Sequence, residues 1–176
     1  MDDRSERMTI DATRKHALLQ SLRSRLRSDL EALERRQRDV QQGAVHEESR
    51  AEHAKDTRAT EQSYLARGLA ERVAAARRTL DAVEALEPPE FGQTDAIAVG
   101  ALVVISASEA GGAEADETWL IVPGAGGLEL TDGEQRVRTL TPVSPLGQAL
   151  LGSTVGDVGT LRTPRGERDF EILEIA

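Results

Sequence analysis

Before Pro88-Pro89 the chain repeats its apolar residues at helical spacing; after that pair it repeats them at strand spacing. A helix cannot run through the pair, because proline lacks the amide proton and clashes with the preceding turn. On the N-terminal side Leu19, Leu22, Leu26, Leu30, Leu33 and Val40 recur every three or four residues, with Gln37 in the remaining seam position. Charged residues such as Arg23, Arg27, Glu31, Glu34 and Arg35 lie between them. Leu65, Leu69, Val73, Ala76, Leu80 and Val83 make a second seam. Each is a narrow stripe on a charged helix, the pattern of a coiled coil and not of a broad globular face. The segment 41–45 reads as a helix end with Gly43 near the C′ position, and the second helix is expected to begin within 46–52. Two helices joined by so short a link bury their seams by pairing antiparallel. A first helix over 11–40 predicts an arm of about 45 Å.

After the linker at 88–94, which holds Pro88, Pro89 and Gly92, β-branched runs at 101–106 and 118–122 read as strands. Residues 110–115 read as a small-residue loop, and 135–140 as a further strand. Ser144 is placed as an N-cap, with Pro145 at N1 and Gly152 at C′, bracketing a helix of about two turns. Strands at 158–163 and 168–175 flank the turn Pro164-Arg165-Gly166. The expected class is α+β: a coiled-coil hairpin over 11–87 and a small β-rich domain over 95–176, with residues 1–10 a frayed lead-in.

Composition removes several functions. The chain has no cysteine, hence no disulfide framework and no thiolate metal site. No apolar run approaches the roughly 20 residues that span a bilayer, and the polar start shows no secretory signal, so no membrane association and a cytoplasmic location are expected. Residues 1–87 carry 17 basic and 17 acidic side chains, whereas 88–176 carry 5 and 14. The C-terminal half is therefore a poor partner for free nucleic acid and a good one for a basic protein surface. Gly124-Ala125-Gly126-Gly127 lacks the Lys-Ser/Thr ending of a phosphate loop.

In the C-terminal half, the run from Ser144 to Gly152 (Ser-Pro-Leu-Gly-Gln-Ala-Leu-Leu-Gly), Val155-Gly156-Asp157, and the run from Gly166 to Leu173 (Gly-Glu-Arg-Asp-Phe-Glu-Ile-Leu) stand in an order and spacing that resemble the Gre family of bacterial transcription elongation factors. Glu61-Gln62-Ser63-Tyr64-Leu65 through Gly68 resembles the family's second helix more weakly. The resemblance implies an FKBP-like fold for the C-terminal domain and the family's transcription functions, with bacterial RNA polymerase as partner, DNA binding through that machinery, and the backtracked RNA 3′ end met indirectly. It also implies a coiled coil inserted through the polymerase's secondary channel, whose tip acids help hold a second Mg²⁺ in the polymerase active site. The chain would then need no cofactor of its own and would be no enzyme. It would donate oxygen ligands to a hard cation supplied by the polymerase, which hydrolyses its own transcript.

The family's tip motif is Asp, two residues, then Glu-Asn. Counting back from Glu61-Gln62 puts Glu48 at the Asp position, Ala51 at the Glu position and Glu52 at the Asn position. Glu47, Glu48 and Glu52 are the candidate metal-assisting residues. Two outcomes stay open, stimulated transcript cleavage and occupation of the channel that inhibits or modulates the polymerase. The plainer reading of these acids is that they favour the positive end of the second helix's dipole. His46 and His53 flank them without His-Glu-x-x-His spacing and read as exposed tip residues. Trp119 and Phe170 read as core. A free-standing nuclease would act on RNA without polymerase, and a coiled-coil adaptor would not co-purify with polymerase. Monomer and coiled-coil dimer both satisfy the seams.

Overall fold

The computed structural model describes residues 10, 12–48, 55–108, 114–133, 135–163 and 166–176. The element order is α1 (Ala12–Glu48), α2 (Lys55–Glu84), β1 (Leu102–Ser108), β2 (Glu114–Ile121), β3 (Glu129–Asp132), β4 (Gln135–Leu140), α3 (Pro145–Leu150), β5 (Val158–Thr163) and β6 (Gly166–Ile175). This is the α+β layout that the change of period at Pro88-Pro89 predicts. The chain divides into two compact units, one of residues 23–84 and one that joins residues up to Leu22 to residues 85–176. Among the described residues no helix is long and apolar enough to cross a membrane.

One six-stranded sheet, ordered β3-β4-β2-β1-β6-β5, organises the second unit. β1 sits near its centre and pairs antiparallel with both β2 and β6. β2 and β4 pair parallel, so the sheet is mixed. Because strand side chains alternate between faces, Val103, Ile105 and Ala107 of β1 face one way and Leu102 and Val104 the other. The first set belongs to a buried cluster with Ile121, Leu140, Phe170, Ile172 and Ile175, closed by Leu146 and Leu150 of α3. Phe170 and Ile172 are two apart, but Ile172 and Ile175 are three apart. A register shift between Val104 and Ile105 absorbs the extra residue and returns Ile175 to the core face.

The first turns of α1 cover the opposite face. Ile10, Lys15, Leu18, Leu19 and Leu22 are buried, as are Leu102, Leu120 and Val137 on that side of the sheet. The Ile10 N–H donates to Glu174 Oε1 of β6 at 3.1 Å, and Arg14 donates to Gln135 Oε1 of β4. Residue 10 is thus part of the core and not of a frayed lead-in. Leu18, beside the seam residues Leu19 and Leu22, widens the apolar stripe beyond a coiled-coil seam, which is what a helix lying on a sheet requires.

Lys15 is buried, with its ammonium donating to the Pro89 carbonyl and lying 4.9 Å from the Phe91 ring centroid. Burial holds its pKa below the usual 10.5, and Glu90 opposes part of that shift. The unfolded chain therefore binds the proton more tightly than the folded one. Stability contributed by this site should rise as pH climbs from the lowered folded value through 10.5. Lys15→Met should abolish that rise. Urea unfolding of both proteins at about pH 8 and about pH 10 checks it: wild type gains on the variant as pH rises, and parallel curves would refute the assignment.

Helix α1 does not stop at Gly43. It runs on to Glu48, and Gly43 is absent from the residues of positive φ. A glycine inside a helix costs about 1 kcal/mol relative to alanine, and only a left-handed φ would make it a terminator. The flanking Gln41, Gln42, Ala44 and Val45 carry the helix through. Strand β3 was not visible in the sequence, and β2 starts inside the segment expected to be a loop.

Candidate functional site

Two regions bear on function: the distal end of the helical unit and the ordered surface of the sheet unit. In the helical unit, residues 23–34 of α1 run antiparallel to residues 77–84 of α2. The Arg23 guanidinium donates to the Val83 carbonyl at 3.2 Å and to the Glu84 carbonyl at 3.4 Å, satisfying carbonyls that the end of α2 leaves open. Arg27 meets Glu84 at 2.6 Å, and Arg77 pairs with Glu34. These exposed pairs set register more than stability, since such contacts contribute about 0–1 kcal/mol each. Burial follows the seams. Leu30, Leu80 and Val83 are buried, and Leu26, Leu33, Leu69, Val73 and Ala76 are half-buried.

The second seam opens before its end. Tyr64 and Leu65 are each 68% exposed.

The candidate acids fall as follows. Glu47 and Glu48 lie within α1 (Ala12–Glu48), and the described part of α2 begins at Lys55. Glu52 lies outside the described residues. The reading in which these acids sit in the first turn of the second helix therefore fails for Glu47 and Glu48. Among the described residues no three His, Asp or Glu side chains converge as a metal site.

In the sheet unit, side-chain hydrogen bonds and an ion pair hold the family-resembling segments. Ser144 caps α3: its Oγ accepts from the Gly147 N–H at 3.1 Å and donates to the Thr141 carbonyl at 2.8 Å. Pro145 occupies the first helical position and Gly152 turns the chain away with φ 82°. Asp157 accepts from the Thr154 N–H at 2.7 Å, fixing the turn into β5. On β6, Arg168 meets Glu117 of β2 at 2.7 Å, both about one-fifth exposed. Arg138 lies over the Trp119 ring at 5.7 Å. Trp119 packs against the buried cluster and Phe170 belongs to it, so both serve the core. Sequence reasoning missed Lys15, whose only signal was a lysine on the apolar side of the first turns of α1.

A family profile described as "Transcription elongation factor, GreA/GreB, C-term" matches residues 92–176. The chain is 36% identical over 81 residues to transcription elongation factor GreA of Streptococcus sanguinis (strain SK36), covering 46% of this chain and 45% of that protein. It is 35% identical over 81 residues to GreA of Streptococcus pneumoniae serotype 4, with the same coverage. The chain thus spans a little under half the length of these curated relatives. Among solved structures, the GreA factor homolog Gfh1 of Thermus thermophilus aligns over 88% of this chain and 94% of its own, with 23% identity and a TM-score of 0.37. A GreA/GreB structure from Nitrosomonas europaea aligns over 57% of this chain and 78% of its own, with 19% identity and a TM-score of 0.34. The matched segment contains the whole sheet, the capped helix α3 and the β5–β6 hairpin, and over that domain the chain is similar to the GreA/GreB family.

Proposed function

We propose that this chain is an RNA polymerase-binding transcription elongation factor of the cytoplasm, which docks through the sheet domain and places the far end of its helical hairpin in the secondary channel. There Glu47, Glu48 and Glu52 add oxygen ligands to a second Mg²⁺ at the polymerase's own centre, and the polymerase cleaves the backtracked RNA 3′ end. The chain contributes ligands and position, not a nuclease site, and its sheet domain does the work that the family's FKBP-like domain does. A hard cation takes carboxylate oxygens, and a second metal polarises the attacking water while the first steadies the leaving oxygen.

The observation that supports this reading is the match of residues 92–176, which hold the whole sheet, to the GreA/GreB C-terminal profile, with two long helices before them. The displaced order of the tip acids favours a second reading, in which the hairpin occupies the channel and modulates the polymerase without cleavage.

A transcript-cleavage assay on a backtracked polymerase complex with Mg²⁺ separates the two, comparing the intact chain with a Glu47/Glu48/Glu52→Ala variant. Shortened RNA with the intact chain alone is the expected result. No shortening, with polymerase binding retained, removes the cleavage assignment and leaves the channel-occupying regulator.

A further inference from the structure

Strand β5 ends the sheet, and among the described residues no strand pairs with its outer edge. Among the described residues β5 pairs only with β6, in the register Val158↔Glu171, Gly159↔Phe170, Thr160↔Asp169 and Leu161↔Arg168. The Ile172 N–H donates to the Asp157 carbonyl. Alternation along an antiparallel ladder then turns the main-chain groups of Gly159 and Leu161 toward β6 and those of Val158, Thr160 and Arg162 outward. Outside the β5–β6 ladder, no backbone hydrogen bond to these three is present among the described residues. A six-residue edge of this kind is a template for another strand unless charge, proline or a bulge blocks it. Within β5 the one charge is Arg162, already held by Glu167 at 3.1 Å, and Val158 is 78% exposed.

The face beside this edge is acidic. Ser106 and Ser108 of β1, Thr160 of β5, and Asp169 and Glu171 of β6 line a groove of about 420 Å³. Asp169 accepts from the Thr160 hydroxyl at 2.6 Å, and both it and Glu171 are exposed. A strand added to β5 projects every second side chain over this groove.

We propose that the outer edge of β5 and the Asp169–Glu171 groove together take an extended polypeptide segment of a partner protein, with lysine or arginine at alternate positions. Main-chain hydrogen bonds to Val158, Thr160 and Arg162 supply the pairing, and the carboxylates select the basic side chains. A second copy of this chain does not fit. Its β5 would offer one arginine, and its own Asp169 and Glu171 would bring like charge to the junction.

The test uses three octapeptide probes on the full chain: alternating Lys and Thr, alternating Glu and Thr, and alternating Lys and Pro. The Lys-Pro peptide keeps the charge but cannot extend a ladder. Binding is read by isothermal calorimetry and by amide chemical-shift changes over residues 158–171. The Lys-Thr peptide is expected to bind with shifts centred on β5, at least about tenfold more tightly than either other probe. Asp169→Asn with Glu171→Gln should weaken it by about tenfold or more. Val158→Pro, which removes an outward N–H and no ladder bond to β6, should do the same; its amide spectrum reports that the fold is kept. Equal binding of the Lys-Thr and Lys-Pro peptides would overturn the proposal by reducing it to diffuse charge attraction. Concentration-dependent dimerisation that Val158→Pro abolishes would overturn it in favour of a second copy. Neither result bears on transcript cleavage, so this proposal and the polymerase reading stand or fall separately.

Discussion

Gly147→Ala is expected to destabilise the sheet unit by about 3 kcal/mol or more, at the upper end of overpacking and cap-loss effects combined. Gly147 is buried and has no positive φ, so the constraint is space and not backbone freedom. A Cβ there would stand 2.1 Å from the Thr141 carbonyl oxygen and 2.9 Å from Ser144 Oγ. Neither neighbour can give way cheaply. The Thr141 carbonyl accepts from the Ser144 N–H at 3.1 Å and from its hydroxyl at 2.8 Å, while the same hydroxyl oxygen caps the Gly147 N–H. Moving the turn removes the cap, and moving α3 withdraws Leu146 and Leu150 from the buried cluster. For a domain of this size, 3 kcal/mol corresponds to a fall in melting temperature of roughly 10–20 °C. Thermal and urea unfolding measure it, with Ala149→Gly as a control for helix propensity, expected near 1 kcal/mol. A loss for Gly147→Ala no larger than that of the control would show that the Thr141–Ser144 turn yields freely.

What the sequence discloses about this chain is what short-range rules decide. Ser144, Pro145 and Gly152 each occupy the positions that cap chemistry assigns them, and β4 and β5 run as their apolar patterning predicts. The misreadings share one cause, a non-local partner. Glu129-Leu130-Thr131-Asp132 has too few apolar residues to announce a strand, and becomes β3 because β4 pairs with it. The parallel pairing of β2 with β4 follows from where that short hairpin returns the chain, which no local pattern encodes. Ile10 and Lys15 look like ordinary residues of a solvated helix start until the sheet lies beneath them. Gly43 carries the signature of a helix end, yet a terminator needs a left-handed residue, and the chain does not take that turn there. That single difference places Glu47 and Glu48 within α1 and not in the first turn of a second helix.

Phe170→Ala is expected to cost about 3–5 kcal/mol, the range for truncating a buried aromatic, and its neighbour Gly159 should reveal why the ring sits where it does. The two are cross-strand partners in the β5–β6 ladder. Phe170 is only 6% exposed, and a Cβ on Gly159 would lie 2.5 Å from its Cζ and 2.9 Å from its Cε1. The ring therefore lies across the glycine, covering backbone that a residue without a side chain would leave bare. Gly159→Ala forces that ring into a cluster already filled by Ile105, Ile172 and Leu150, at about 1–3 kcal/mol. In a Phe170→Leu background the obstructing ring atoms are gone, and the same alanine should be close to neutral, since strand glycine is itself unfavourable. A double-mutant cycle by urea unfolding should thus return a coupling of about 1–3 kcal/mol between positions 159 and 170. Additivity within about 0.5 kcal/mol would mean that the ring does not rest on Gly159. The inner side of β5 would then owe its place to the ladder alone.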